Sequence, residues 1–349
     1  MMLAARLYGA GDIRVEEIPV PEIADDEILI KVESAGICGT DLRMIDNGLP
    51  GDQAGGPRTL GHEFAGVVSG TGKKVQGYAP GMRVAAAPNL GCGICDQCVR
   101  GDAHLCPDYQ ALGVQLDGGF AEYVRIPGQA VRSGNVAVLP DSVTFGQATL
   151  IEPLSCVYSG LLQCPVRLGD DVLIIGAGPI GVLYAMLAKR AGAGRVFVCN
   201  RSEDRLTRVK QLDSSFITLA ADGLEEAVAR LTDGRGVDMC VTANPSPEAQ
   251  RIAVELTGVN GRINWFGGLP KTTGPVPVDT NRIHYKQISV TGTTKANNFH
   301  FRQAMRFIAG GMIQAEPLLS RSFGLPEGKE AFAYAKSSQG WKTWFAFSG

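Results

Sequence analysis

Residues 173–181 read LIIGAGPIG, an apolar run closed by glycines in the spacing G-x-G-x-x-G. The run before the glycines is typical of a buried strand, and the segment GVLYAMLAKRAGA, which begins at the last glycine, is typical of a helix. In this context Gly176 allows a tight turn, Gly178 lets backbone N–H groups approach a pyrophosphate, and Gly181 lets the helix pack closely on the strand. The alternative is a glycine-rich turn without a ligand. We predict a dinucleotide-binding turn formed by Gly176, Gly178, Pro179, Ile180 and Gly181.

The alternation of strand and helix extends over residues 155–293. Strand-like runs such as DVLIIGAG, RVFVCN and GVDMCVTA are separated by helix-like runs such as SEDRLTRVKQL and PEAQRIAVEL. This alternation predicts a parallel sheet with helices on its faces. Residues 1–154 instead contain short β-like runs bounded by Gly, Pro or Asp, which predict an irregular β domain. Residues 294–349 are expected to return to that first domain.

The length and charge of the chain limit its function classes. A chain of 349 residues exceeds the usual size of a single core, so two domains are expected. The 33 basic and 35 acidic residues nearly balance, which argues against nucleic acid or an anionic membrane as a partner. The N-terminal segment lacks the pattern of a secretory signal, and no apolar run reaches the length of a membrane span. A cytoplasmic location is therefore expected.

The end of the second strand of the alternating region indicates which dinucleotide binds. An acidic residue there would hold the ribose 2′-hydroxyl of NAD, but the strand RVFVC is followed by Asn200 and Arg201, with Arg205 one turn later. An amide does not repel a 2′-phosphate, and a guanidinium binds it in a planar fork. NADP is therefore favoured over NAD. The alternative is that both arginines belong to a solvated first helical turn.

Four of the nine cysteines lie in the segment GCGICDQCVRGDAHLC, residues 91–106. Two-residue gaps let successive thiolates point at one ion, and four sulfurs complete the tetrahedral shell of a structural zinc. A cysteine-rich loop without metal and an iron–sulfur cluster are the alternatives, although the usual cluster spacings are absent. His104 is interpreted as a surface residue because the sulfurs already complete the ligand count. The predicted ligands are Cys92, Cys95, Cys98 and Cys106.

A second set of metal-ligating residues lies in the first domain. Cys38 stands in the segment AGICGTDLRMID, and His62 and Glu63 stand in TLGHEFAGVVSGTGKKV. A thiolate, an imidazole and a carboxylate are all zinc ligands. Each residue alone is more often structural, so the prediction of a site depends on their combination.

These motifs carry a resemblance to a known family. GHEFAGVVSGTGKKV matches the G-H-E-x2-G-x5-G-x2-V signature of the zinc-dependent medium-chain alcohol dehydrogenases. CGTD at residues 38–41, the four-cysteine segment, IEPLSC at residues 151–156 and the glycine turn follow in that family's order and spacing. The resemblance covers essentially the whole chain. It implies an α/β fold with a GroES-like catalytic domain and a doubly wound Rossmann cofactor domain, with the active site in the cleft between them.

The resemblance also implies roles for individual residues. Cys38 and His62 would bind a catalytic zinc, with either Glu63 or Glu152 as a further ligand. Thr40 resembles the hydroxyl that passes the substrate proton toward the cofactor ribose. The family often has a histidine five residues after the cysteine ligand, where this chain has Arg43, which cannot accept a proton. The exit route of the proton is therefore open.

The segments IEPLSC and NRIHYKQISVTGTT resemble the polyol and sugar-alcohol branch of the family. A hydride would pass between a secondary alcohol of a polyol or sugar alcohol and NADP(H). Lys295 is expected either to face the substrate or to be solvated. Alternative substrates are a threonine-like amino alcohol and a sugar alcohol phosphate, and a non-catalytic NADPH-binding zinc protein is the alternative of another class. Relatives of this type are commonly homotetramers or homodimers.

Overall fold

The computed structural model describes residues 1–49, 56–270 and 272–347. Two compact units are present, one formed by Met1–Ser155 with Lys295–Gly349 and the other by Cys156–Thr294. We propose that these units are the two domains expected from the sequence. None of the helices in the described ranges is long and apolar enough to cross a membrane.

The N-terminal part of the first unit is built mainly from short antiparallel strands. Its strands are β1 (Met2–Gly9), β2 (Asp12–Ile18), β3 (Ile28–Gly36), β4 (Arg58–Thr59), β5 (Glu63–Thr71), β6 (Arg83–Ala86), β7 (Asn89–Leu90), β8 (Gln110–Ala111), β9 (Tyr123–Ile126) and β10 (Val136–Val138). Its helices are α1 (Gly39–Asn47), α2 (Asp96–Val99), α3 (Gly128–Arg132) and α4 (Phe145–Ala148), followed by α5 (Ile151–Gln163).

The second unit alternates strands and helices along the chain. Its strands are β11 (Asp171–Ile175), β12 (Arg195–Asn200), β13 (Ile217–Ala220), β14 (Val237–Thr242), β15 (Thr257–Trp265) and β16 (Ser289–Gly292). Its further helices are α6 (Pro179–Arg190), α7 (Glu203–Leu212), α8 (Leu224–Leu231), α9 (Pro247–Leu256) and α10 (Thr280–Tyr285).

The remaining elements belong to the first unit. They are α11 (Asn298–Ala309), β17 (Leu319–Phe323), α12 (Gly328–Ser337) and β18 (Lys342–Ala346), with single 3₁₀ turns at Glu316–Leu318 and Leu325–Glu327 and another at Ala103–Leu105. Strand β18 pairs antiparallel with β3, so the last described strand completes a sheet begun by the N-terminal segment. That sheet has the order β10-β6-β5-β3-β18-β17, with β9 also paired to β3. Phe120, Phe332 and Phe345 pack in its core, two of the ring pairs edge-to-face and one tilted.

The sheet of the second unit is entirely parallel, in the order β13-β12-β11-β14-β15-β16. All five residues of β11 are buried, as expected for a central strand covered by helices on both faces. The strand order reverses between β11 and β14, and a parallel sheet binds its ligand at the carboxyl ends of the strands at such a point. The two-domain α/β fold predicted from the sequence is confirmed.

The turn after β11 depends on its glycines. Gly176 has a φ of 121°, a conformation that side chains rarely adopt. A Cβ at Gly181 would collide with the Gly176 carbonyl oxygen, so glycine allows α6 to start close to the strand. Gly178 is the N-cap of α6 and Pro179 occupies the first helical turn.

Candidate metal centre and dinucleotide site

Three metal-ligating side chains meet where β3 ends. Gly36 pairs with Glu63, the first residue of β5, and Cys38 follows Gly36 by two residues as the N-cap of α1. One ligand atom each from Cys38, His62 and Glu63 lie within 4.8 Å of one another. Gly36 makes room for the carboxylate, because a Cβ at that position would collide with Glu63 Oε2. The β3–β5 register thus assembles the three donors that the sequence analysis singled out.

Asp41 lies against two members of this group. It is fully buried, its Oδ2 accepts a hydrogen bond from the Cys38 N–H at 2.8 Å, and its Oδ1 lies 3.3 Å from His62 Nδ1. A carboxylate on one imidazole nitrogen fixes the ring and leaves the other nitrogen for a metal. Burial alone would lower the pKa of His62, but the negative charges of Asp41 and Cys38 raise it well above its ordinary value.

The Glu63 carboxylate has two oxygens in different environments. Its side chain is 1% exposed, and Oε2 forms an ion pair with Lys342 Nζ. Oε1 is buried and has no hydrogen-bond partner within the described part of the chain. A buried anionic oxygen without a donor is costly unless a cation satisfies it. The donor set Cys38, His62 and Glu63 therefore fits a zinc ion.

Lys342 is a site residue that the sequence analysis missed. It lies at the start of β18, and its side chain is 2% exposed. Burial alone would lower the pKa of Lys342, but Glu63, Cys38 and Glu152 together raise it. The signal in the sequence was a lysine at the start of the strand-like run KTWFA, which a buried strand accepts only when the charge is paired.

Glu152 and Thr40 lie close to this group without joining it. Glu152 is half-buried in the first turn of α5 and contributes to the raised pKa of Lys342. Among the described residues, the metal-sized group contains Glu63 and not Glu152. Thr40, in the first turn of α1, accepts a hydrogen bond at 2.9 Å from Arg43 Nη2.

The four predicted cysteine ligands also converge. Their sulfurs lie within 4.8 Å of one another, and Cys95 Sγ is 3.7 Å from Cys106 Sγ. Zinc–sulfur bonds of about 2.3 Å in a tetrahedron place the sulfurs about 3.8 Å apart, so this spacing fits zinc. The N–H of Cys92 points at Cys106 Sγ at 3.2 Å, and that of Cys95 at Cys92 Sγ at 3.4 Å.

The pKa values of two of these thiols, Cys92 and Cys98, are shifted in opposite directions. Hydrogen bonds from the Ile94 and Cys95 backbone lower the pKa of Cys92 to about 7. Burial raises the pKa of Cys98 to about 12. A metal ion bound here would keep its cysteine ligands deprotonated, including Cys98 with its raised pKa.

Two residues in or beside the four-cysteine loop, His104 and Lys295, pack against other side chains or backbone groups. His104, interpreted from the sequence as a surface residue, is 5% exposed and its ring lies 6.1 Å from that of His300, so that interpretation was wrong. The Lys295 ammonium lies 3.6 Å from the Tyr109 ring centroid and 3.3 Å from the His104 carbonyl oxygen. These contacts hold Lys295 against the four-cysteine loop, and its role toward a substrate stays a prediction.

Two of the predicted cofactor residues of the second unit, Asn200 and Arg205, lie beside the glycine turn. Asn200 Oδ1 accepts a hydrogen bond from the Ala177 N–H at 3.3 Å. A Cβ at Gly178 would lie 3.7 Å from Arg205 Nη1, so this guanidinium stands beside the turn. Burial, followed by repulsion from Arg208, lowers the pKa of Arg205. Arg201 is exposed to solvent.

Two family models match the chain. The model described as the alcohol dehydrogenase GroES-like domain matches residues 24–141, and the model described as zinc-binding dehydrogenase matches residues 179–310. The first match covers the Cys38–His62–Glu63 group and the four-cysteine loop, and the second begins in the glycine turn.

Individual relatives match over nearly the full length. The chain is 32% identical to a sorbitol dehydrogenase of Bacillus subtilis over 338 residues, which cover 96% of this chain and 93% of the relative. It is 35% identical to an L-threonine 3-dehydrogenase of Streptomyces avermitilis over 328 residues, which cover 93% of each protein. The crystal structure of a zinc-binding dehydrogenase from Sinorhizobium meliloti bound to NADP is similar with a TM-score of 0.89 and 30% identity over 99% of both chains.

Proposed function

Because the chain belongs to the zinc-dependent medium-chain alcohol dehydrogenases, in the sorbitol and threonine dehydrogenase branch, we propose that it oxidises a polyol or sugar alcohol with NADP⁺. The enzyme is an oxidoreductase whose cofactors are zinc and a nicotinamide dinucleotide, and its substrate is a small-molecule alcohol. The observation that carries the proposal is the Cys38–His62–Glu63 group, in which His62 and Glu63 are buried and one Glu63 oxygen has no hydrogen-bond partner among the described residues.

The residues of this group have separate tasks in the proposed reaction. Cys38, His62 and Glu63 would hold the catalytic zinc, and Asp41 would keep the His62 ring in its ligating orientation. A zinc ion bound there supplies a Lewis acid that favours ionisation of an alcohol. Cys92, Cys95, Cys98 and Cys106 would hold the structural zinc.

Thr40 is the proposed group that receives the substrate proton. Its Oγ1 accepts a hydrogen bond from Arg43, which leaves one lone pair and the hydroxyl hydrogen for a relay. Arg43 cannot take up a proton, so the proton leaves Thr40 by another route. The Arg43 hydrogen bond instead orients the hydroxyl.

The relatives support, as the substrate, an alcohol whose neighbouring carbon carries a polar group. Sorbitol and threonine both present a secondary alcohol beside a carbon that carries a heteroatom, and enzymes named for both are more than 30% identical to this chain. We place the polyol first because the IEPLSC and NRIHYKQISVTGTT segments resemble that branch. An amino alcohol like threonine is the second candidate.

The choice of NADP is supported by the residues beside the glycine turn. Asn200 ends β12 where a carboxylate would select NAD, and Arg205 stands next to Gly178. A guanidinium there offers charge-assisted hydrogen bonds to a 2′-phosphate. The ribose 2′-hydroxyl of NAD is neutral and would accept only weaker hydrogen bonds from this guanidinium.

The test is a steady-state assay of the zinc-loaded enzyme with sorbitol and other polyols, sugar alcohol phosphates and threonine, each with NADP⁺ and NAD⁺. We expect the highest kcat/KM with a polyol and NADP⁺. Arg205→Ala should weaken NADP⁺ binding about 10- to 100-fold with little effect on NAD⁺. Arg230→Ala removes an exposed arginine from α8 and serves as the control. A preference for NAD⁺ in the unmodified enzyme would overturn the cofactor assignment, and a preference for threonine the substrate assignment.

A further inference from the structure

We propose that Lys342 is a positioning residue of the catalytic metal, because it holds one oxygen of Glu63 and so restricts that carboxylate to a single metal bond. A coordination position then stays open for the alcohol. The inference rests on the proposed function, since it requires a metal ion among Cys38, His62 and Glu63. It assigns a task to a side chain that the sequence analysis did not single out.

Lys342 and Glu63 reach each other across the end of β3. Strand β3 lies between β5 and β18, and Gly36 pairs with Glu63 on one side and with Trp344 on the other. Lys342 lies two residues before Trp344, at the start of β18. The register of the two strand pairings therefore brings the ammonium to the carboxylate.

The Oε2 atom of Glu63 is held on two sides. It forms the ion pair with Lys342 Nζ, and a Cβ built on Gly36 would collide with it. The Glu63 and Lys342 side chains are 1% and 2% exposed, so water does not compete for this contact. Turning the carboxylate would break the ion pair inside the protein, where an unpaired charge is strongly unfavourable.

Lys342 can act only as a donor at this position. Burial acts to lower the pKa of Lys342, but the charges of Glu63, Cys38 and Glu152 raise it, so Nζ is an ammonium at neutral pH. An ammonium has three N–H donors and no lone pair, so it cannot become a metal ligand itself. Its Nζ also lies 3.5 Å from the Ile37 carbonyl oxygen. Lys342 therefore occupies Oε2 without adding a ligand to the metal.

The other carboxylate oxygen is the one left for the metal. Glu63 Oε1 is buried and has no hydrogen-bond partner among the described residues. A carboxylate that bound zinc through both oxygens would, with Cys38 and His62, complete a four-coordinate shell, which is the closed arrangement of structural sites. A catalytic zinc instead keeps one position for water or substrate beside three protein ligands. The contact of Lys342 with Oε2 favours the second arrangement.

The first test is an infrared difference spectrum of the unmodified full chain, zinc-loaded minus metal-free. A carboxylate bound through one oxygen has a wider separation between its antisymmetric and symmetric stretches than a free carboxylate, and one bound through both oxygens has a narrower separation. The same spectrum of Glu63→Gln identifies the Glu63 bands, which the variant lacks. We expect the wider separation for Glu63, and the narrower one would overturn the inference.

The second test replaces zinc by cobalt and titrates the full chain with imidazole, a neutral ligand that needs an open metal position. The visible difference spectrum reports only such a position, because a site closed by four cysteines has none. Lys342→Met frees Oε2 beside the metal and should raise the Kd of imidazole at least about 10-fold. Lys342→Arg keeps the charge and the donor and should restore most of the affinity. Lys336→Met, which removes the lysine of the exposed pair with Asp46, is the matched control and should leave the Kd unchanged.

Two outcomes of the titration would overturn the inference. One is an unchanged imidazole Kd in Lys342→Met, and the other is an equal loss of affinity in Lys336→Met. If Lys342→Met does not fold, the infrared spectrum of the unmodified chain decides. If the unmodified chain binds a single metal ion, at the four cysteines, the proposed function fails and the inference with it, and the metal content distinguishes this outcome from the others.

Discussion

The ion pair between Glu63 and Lys342 shows how one long-range contact shapes the metal centre. Both side chains are almost fully buried, so neither charge is stabilised by water. A buried pair is strongly destabilised when one partner is removed, because the other charge stays desolvated. Lys342 therefore compensates the carboxylate and holds one of its oxygens, while the other is buried without a hydrogen-bond partner among the described residues.

Lys342→Met should lower the free energy of unfolding by about 3–5 kcal/mol, because it leaves the Glu63 charge unpaired. The double variant Lys342→Met with Glu63→Gln should recover part of that loss. Urea unfolding of the single and double variants measures both effects. Lys336→Met removes the lysine of an exposed pair with Asp46 and should cost less than about 1 kcal/mol. Strictly additive losses in the double variant would contradict a direct Glu63–Lys342 interaction.

At the scale of elements, the four-cysteine loop has little regular structure. It contains the four-residue helix α2 and a three-residue 3₁₀ turn, and none of the α2 residues is buried. So short a helix is not stable by itself. The proposed zinc supplies the cross-link that this loop lacks.

Cys98→Ser should reduce the zinc content from about two ions per chain to about one, because a tetrahedral thiolate site loses a ligand. Plasma emission spectrometry of the dialysed protein measures this number. Cys38→Ser is the matched variant. It should also lose one zinc, but from the catalytic site. It should therefore retain thermal stability better than Cys98→Ser. Retention of both zinc ions in Cys98→Ser would argue against this set of ligands.

The N-terminus of α11 carries a pH-sensitive residue. His300 is 7% exposed and occupies the third helical position, with its N–H donating to the Asn297 side chain at 2.9 Å. Burial, followed by repulsion from His104, lowers the pKa of His300 to about 4. The unfolded chain, in which the pKa of histidine is about 6.5, binds the proton more tightly.

Stability should therefore fall as the pH drops from about 6.5 toward 4, by at most about 3 kcal/mol from this residue. His300→Gln keeps a side chain suited to the capping box and removes the titration. Urea unfolding at several pH values should show a shallower dependence on pH for this variant than for the unmodified protein. Identical pH profiles would show that His300 does not contribute.

At the scale of the whole molecule, ligand binding adds to stability by mass action. NADP⁺ at about 100 times its Kd should add about 2.7 kcal/mol to the free energy of unfolding. Thermal unfolding monitored with equal concentrations of NADP⁺ and NAD⁺ should show the larger shift with NADP⁺. Arg205→Ala should abolish that difference, and an equal shift by both dinucleotides in the unmodified protein would contradict the proposed selectivity.

We also expect the chain to self-associate into a homodimer or homotetramer. Two neighbouring apolar side chains on the four-cysteine loop, Ile94 and Val99, are 86% and 76% exposed. Light scattering coupled to size-exclusion chromatography should give a mass two or four times the chain mass of 36.9 kDa. A monomeric mass at micromolar concentration would contradict the expectation.

Much of the second unit follows from local sequence. The alternation of strands and helices and the glycine turn at Gly176 and Gly181 were predicted and are present, because tight turns and close packing are decided by sterics within a few residues. The spacing of the four cysteines likewise limits how they can meet, since they lie within one short loop. Cys38, His62 and Glu63 were recognisable through a family signature rather than through spacing alone.

Long-range partners were not predictable in this way. Lys342 is 279 positions from Glu63 and reaches it only because β18 and β5 flank β3. His104 becomes buried against His300, and Trp265 comes to lie beside Thr242 through the register of β14 and β15. The sequence by itself determined the parallel fold, the turn and the donor types, because these depend on short-range geometry and periodicity. Only the tertiary structure decided which charges pair and which polar atoms remain without partners, because these depend on strand order and register.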